Sequence, residues 1–105
     1  MSRIEQIRKL LAANGDDAFL LYSLGMELLG EGTAAQAADA FGRVLEVDPN
    51  YLAAYTQGAA ACRQMGDVTG ALRLLEKGLA LAKSQGDQHT ADRIILLLEA
   101  LRPAS

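Results

Sequence analysis

The sequence has no tryptophan, five aromatic residues in all, one histidine, one cysteine and two prolines in 105 residues. Each scarcity excludes something. With aromatics so few and Ala and Leu supplying most of the apolar content, the composition suits helices rather than strands. The lone cysteine, Cys62, cannot form an internal disulfide, and with His89 as the only histidine it cannot complete a metal site, so no cofactor or metal is expected and a reducing, cytoplasmic compartment fits best. No long apolar run exists: in the first nine residues, Met-Ser-Arg-Ile-Glu-Gln-Ile-Arg-Lys, charges interrupt every hydrophobic stretch, so neither a signal peptide nor a membrane span is expected. Excess positive charge is missing too. Ten Lys and Arg are scattered among thirteen Asp and Glu, for a net charge of -3, a balance that repels phosphate and makes nucleic acid an unexpected partner.

What is there is enough to fold. Half of the residues are hydrophobic and 22% are charged, a globular proportion, and a chain of this length buries roughly 60 to 70% of its unfolded surface in a single domain, 1–105. Glycine and proline punctuate it at Asn14-Gly15, Gly30 to Gly32, Pro49, Gly66, Gly86 and Pro103, leaving segments of about 12 to 17 residues. Within them apolar residues recur at spacings of three and four, as in Ile4, Ile7, Leu10 and Leu11 or Ala37, Phe41, Val44 and Val47. The pattern predicts six helices at about 2–13, 17–30, 33–47, 50–64, 67–84 and 89–102, with Thr33, Asp67 and Thr90 as N-caps and Pro49 as a stop.

Sliding the sequence against itself by 34 residues lays Gly32 on Gly66, Ala37 on Ala71 and Leu45 on Leu79, and carries the turn Asp48-Pro49-Asn50 back onto Asn14-Gly15-Asp16. The chain therefore reads as two helix-turn-helix units with an extra helix at each end. Leu21, Leu24, Gly25 and Leu28, followed by Ala37, Phe41 and Pro49, match the signature of the tetratricopeptide repeat, which this sequence resembles. Tyr55, Gly58, Ala59, Cys62, Ala71 and Leu75 take the same places in the second unit; Lys83 stands where the family has proline, so the fifth helix is expected to run on toward Gly86.

The resemblance implies an all-α, short right-handed superhelix of antiparallel helix pairs. It divides the chain into an N-terminal capping helix (1–14), repeats at 18–51 and 52–85, and a C-terminal capping helix (86–105). Physically, small residues at Gly25, Ala37, Ala59 and Ala71 let helix axes approach, while Phe41 and Leu75 fill the space between pairs.

Residues that could do chemistry have plainer roles here. His89 lies at a helix start beside Asp87, Gln88 and Thr90, the place of a solvated capping-region side chain. Cys62 falls on the core face of the fourth helix, as a small hydrophobe with only Arg63 as a cationic neighbour. Asp16 and Asp17 precede the second helix, where carboxylates cap free amides. No phosphate loop, nucleophile triad or metal spacing appears, and the expected function is not an enzyme's.

The second helix instead carries a surplus. Beside the core stripe Leu21, Leu24 and Leu28 runs another: Phe19, Tyr22, Met26 and Leu29. In the family the first helices of successive units line a concave groove for a peptide or helix, and the resemblance implies that this stripe faces it; burial against the first helix is the competing account. On the fourth helix the matching positions, Ala53, Thr56, Gln57, Ala60, Arg63 and Gln64, are small or polar. The candidate partner-binding residues are therefore Phe19, Tyr22, Met26, Thr56, Gln57 and Arg63, with another protein or peptide as partner. A groove two units long should bind at about micromolar strength once association costs are met. Some family members grip a C-terminal carboxylate with Lys and Asn in the groove; with Arg63 as the only groove cation, that mode is not expected. A second candidate surface is the greasy run Ile94 to Leu98. Taking Ala91, Ile95, Leu98 and Leu101 as the inward face leaves Leu96 nearly opposite and Leu97 at the margin, and a homodimer formed through these two is the alternative.

Overall fold

Six helices form, as the spacing predicts: α1 Arg3–Ala13, α2 Ala18–Gly30, α3 Ala34–Val47, α4 Leu52–Gln64, α5 Val68–Ser84 and α6 Gln88–Leu101. The computed structural model describes residues 2–102, and no strand occurs among them; the break expected at Pro103 lies outside this range. Local chemistry sets the helix starts. Free amide N–H groups at a helix N-terminus need acceptors, and Ser2, Asp17, Asp67 and Asp87 supply them to Glu5, Leu20, Gly70 and Thr90 at 2.9–3.1 Å. Of the two threonines expected to cap helices, one does so without its side chain and the other does not. Thr33 is the N-cap of α3 as expected, its carbonyl accepting from the Ala37 amide at 3.0 Å, but its hydroxyl donates to the Leu28 carbonyl at 2.9 Å, so the side chain closes α2 instead of capping α3. Thr90 does not cap α6: Asp87, three residues earlier, does, and receives both the amide and the hydroxyl of Thr90. Of the pair Asp16 and Asp17, only Asp17 caps.

One turn recurs three times. Gly32, Gly66 and Gly86 have φ of +82°, +78° and +72°, in the left-handed region that a side chain disfavours. The next amide, of Thr33, Asp67 or Asp87, then donates five residues back, to the carbonyl of Leu28, Cys62 or Ala82. The chain reverses through the same turn each time. Because Lys83 does not stop the helix as proline would, α5 reaches 17 residues before Gly86 turns it.

Successive helices pack antiparallel, and α2 also touches α4. Two layers result, α1, α3 and α5 in one and α2, α4 and α6 in the other, in a slab of 48 × 29 × 19 Å. Phe41 is the largest fully buried side chain, and it lies where α2 has no side chain: a Cβ on Gly25 would stand 2.6 Å from its ring. Ile4, Ile7, Leu24, Leu28, Ala37 and Ala40 surround it. The second unit has its own cluster, Ala59, Cys62, Ala71 and Leu75 with Ile94 and Leu98 from α6. Among the described residues no polar side chain is buried.

The inward face of α6 departs from expectation. Ala91, Ile94 and Leu98 are buried, whereas Ile95 is half-buried. Starting the helix at Asp87 rather than Thr90 does not rotate it; the choice was settled by α5, whose Gly78 leaves room for the Ile94 side chain.

Candidate functional site

The three helices of the even layer share one register. Counted from their N-cap positions, Asp17, Tyr51 and Asp87, the fourth, seventh and eleventh residues are Leu21, Leu24 and Leu28 in α2, Tyr55, Gly58 and Cys62 in α4, and Ala91, Ile94 and Leu98 in α6. All but the half-buried Tyr55 are buried. The second, fifth and ninth are Phe19, Tyr22 and Met26, then Ala53, Thr56 and Ala60, then His89, Asp92 and Leu96. These lie on the other side of each helix, and together they make the open face of the layer.

On α2 that face is apolar. Phe19 is 66% exposed and Met26 39%, so Phe19 is not buried against α1. Tyr22 behaves differently from its neighbours. Its ring lies 5.6 Å from Phe41 and 5.1 Å from Tyr51, closing the space between α2 and the start of α4. Burial, and then the neighbouring Tyr51, push the Tyr22 hydroxyl above its ordinary pKa; Tyr51 is raised by burial and by Asp48 and Asp17. Both phenols stay neutral.

On α4 the predicted residues converge. Thr56, Gln57 and Arg63 line one pit of about 130 Å³ together with Ala59, Ala60, Leu75, Arg93 and Leu97. A wider cleft of about 360 Å³ continues from it toward the ends of α5 and α6, past Leu52, Ala53, Gln85, Asp87 and Thr90. Leu97, expected at a self-association surface, is thus half-buried on the second core cluster and shares the pit with Thr56 and Arg63. Leu96 alone stands out, 66% exposed. The expectation that Arg63 is the only cation of the face is corrected by Arg93. Arg93 comes six residues after Asp87, as Gln57 comes six after Tyr51.

A third depression, about 380 Å³, opens between α1 and α3 over Leu21, Leu24 and Leu28. Its floor offers almost nothing to a ligand, since those leucines are 0%, 9% and 4% exposed, and its rim mixes Arg8 and Arg43 with Asp39. The two most exposed large apolar side chains, Phe19 and Leu96, are both on the even layer, while Leu10, Val47 and Val68 stand singly on the odd one.

The groups with chemical potential are quiet. Burial and the nearby Asp67 push the Cys62 thiol up, away from the thiolate that a nucleophile needs. Asp87 is held below the usual carboxylate range by the hydroxyl and amide of Thr90 and by His89, which is the signature of a cap. Among the described residues no three of His, Cys, Asp and Glu gather closely enough to hold a metal ion, and no helix is long and apolar enough to cross a membrane.

Known proteins resemble this arrangement along nearly its whole length. Residues 28–91 match the tetratricopeptide-repeat family model. A TPR repeat-containing protein of Pseudomonas aeruginosa is 36% identical over 98 residues, 93% of each chain. Among solved structures, a Bordetella parapertussis protein superposes with a TM-score of 0.83 at 28% identity, over 96% of this chain and 88% of its own. PcrH, solved in complex with the chaperone binding region of PopD, gives 0.88 at 25% identity, over 93% of this chain and 74% of its own.

Proposed function

The chain belongs to the tetratricopeptide-repeat family, and from that premise we propose that it is a non-catalytic adaptor whose even-layer face takes up a peptide or helix of a partner protein. Phe19 and Met26 on α2 provide the apolar end, and Thr56, Gln57 and Arg63 on α4 the polar end. The repeats run 18–51 and 52–85 in this reading, and the compartment is the cytoplasm. The observation that carries it is Phe19, a phenylalanine left 66% exposed on a helix whose Leu21, Leu24 and Leu28 are all buried. The likeness to PcrH, which was solved bound to a segment of another protein, supports the same use of the fold. Scattered charge and the absence of a basic stripe argue against nucleic acid as the partner.

The test compares affinity capture from a cell lysate by the wild type and by a Phe19→Ser, Met26→Ser variant. Tyr22 is left alone because it packs between Phe41 and Tyr51, so its loss would confuse binding with folding. A partner retained by the wild type and lost by the variant, with unchanged helical content, is the expected result. Equal retention would refute the site. The exposure of Leu96 favours a second reading, a homodimer through α6, which sedimentation of the wild type beside Leu96→Glu would detect as a dissociating dimer.

A further inference from the structure

The pit between α4 and α6 has a composition that selects among peptides. Its floor is Leu75, fully buried, and its walls are Ala59, Ala60 and Leu97. At about 130 Å³ it holds one aliphatic side chain and little more. Two guanidinium-bearing side chains, Arg63 from α4 and Arg93 from α6, reach its rim from opposite helices, beside the polar Thr56 and Gln57. Neither has an anionic partner: the ion pairs among the described residues are Arg3 with Glu27 and Arg102 with Glu76, both elsewhere.

The charge of this region runs against that of the chain. The protein carries -3 overall, yet Arg63 is the only charged residue of α4, and the only charge on α2, Glu27, is tied to Arg3 on α1. The carboxylates at the start of α6 bond elsewhere, Asp87 to Thr90 and Asp92 to the Gln88 amide at 2.7 Å, and neither is in an ion pair with Arg93. Two like charges brought to one rim repel each other and gain most from an anion placed between them. Guanidinium groups, with their fixed fork of donors, suit a carboxylate.

We propose that this pit sets the specificity of the module: it receives a leucine-like side chain of the partner, and Arg63 and Arg93 take the carboxylate of an Asp or Glu side chain flanking that residue. The inference rests on the adaptor reading and deepens it by naming the chemistry of the partner, an acidic segment with an aliphatic anchor. Phe19 and Met26 then meet a second apolar residue further along the same segment. Arg63 also lies in the last turn of α4, where a cation relieves exposed carbonyls, and that role survives whether or not a peptide binds.

The test titrates the full chain with synthetic peptides acetylated and amidated at their ends, so that no terminal carboxylate is present. Three share a central leucine flanked by glutamates, by glutamines or by lysines. The wild type should bind the glutamate peptide about fivefold more tightly than the glutamine peptide, with the advantage shrinking at high salt. Arg63→Glu, Arg93→Glu should reverse the order in favour of the lysine peptide, a gain that misfolding cannot mimic. Equal affinities for glutamate and glutamine peptides, a preference that persists in the reversed variant, or no binding of any of the three would overturn the proposal. So would equally tight binding of a peptide whose sole carboxylate is its C-terminus. If lysate capture still depends on Phe19 and Met26 while the charge reversal changes nothing, the adaptor reading stands and this specificity falls.

Discussion

Phe41 of α3 and Leu75 of α5 hold equivalent places, each eight residues after its helix cap, and their partners across the helix pair are Gly25 and Ala59. Where the filler is large the partner has no side chain, and where the filler is smaller the partner has gained a methyl. The two units thus reach similar packing with different divisions of volume. On the open face the same two units diverge without compensation: the exposed Phe19 and Met26 in the first correspond to Ala53 and Ala60 in the second, and Leu29, packed on the first core cluster, to the exposed Arg63. Packing constrains a pair jointly, whereas a face turned to solvent is free to differ. That freedom lets one repeated fold carry an apolar end and a cationic end on the same face.

The largest effect should come from removing the fillers. Phe41→Ala should lower stability by about 3–5 kcal/mol and Leu75→Ala by about 2–5 kcal/mol in urea denaturation. Phe41 should cost more, because it supports Gly25, Tyr22 and Gly58 together. If the two losses were reversed, the first unit would not be the more dependent on its filler.

Next in size, Gly25→Ala should cost about 1–3 kcal/mol, since the new methyl meets the Phe41 ring. Adding Phe41→Leu converts the first unit to the volumes of the second. The pair should then be less damaging than the sum of the single changes by at least about 0.5 kcal/mol. Strict additivity would show that the two units do not trade volume.

The helix starts differ as well: Asp17 caps α2 through its side chain, while Tyr51 makes no such bond to α4. Asp17→Ala should therefore cost about 1 kcal/mol, and hydrogen exchange should rise in the first turn of α2 without a matching change in α4.

Acid separates the units further. The Asp87 carboxyl has a lower pKa folded than unfolded, so its contribution to stability is complete above the ordinary carboxylate range, near pH 4, and is lost as pH falls through the lowered folded value. Exchange of the first α6 amides should accelerate over that acidic window, and Asp87→Ala should abolish the dependence. The smallest expected effect is on Cys62, buried in the second unit: native protein should react with a thiol reagent about tenfold or more slowly than unfolded chain.

Much of this was legible before any coordinates. Apolar spacing located six helices to within a residue or two, the three glycines at 32, 66 and 86 marked the turns, and the missing proline at Lys83 announced the long α5. Cap chemistry was only partly legible at the two threonines: Thr33 caps α3 without using its side chain, and Asp87 takes the place expected of Thr90. Thr33 and Thr90 are good cap residues by type, but a hydroxyl can donate as well as accept, and the neighbouring backbone decided which it did. Arg93 was missed because its meeting with Arg63 is set by how α6 packs on α5, which no spacing within α6 states.

The sequence by itself determined the helices, their order and the repeat, since these follow from spacing, turn glycines and the volumes of residues that must pack. Only the tertiary structure decided which side of each helix stays open. It drew Tyr22 inward onto Phe41 and Tyr51 while leaving Phe19 out, turned Ile94 rather than Ile95 toward α5, and brought Leu97 and Arg93 to the pit that holds Arg63. Periodicity places a residue on its own helix, but whether that place is covered depends on a neighbour distant in the chain.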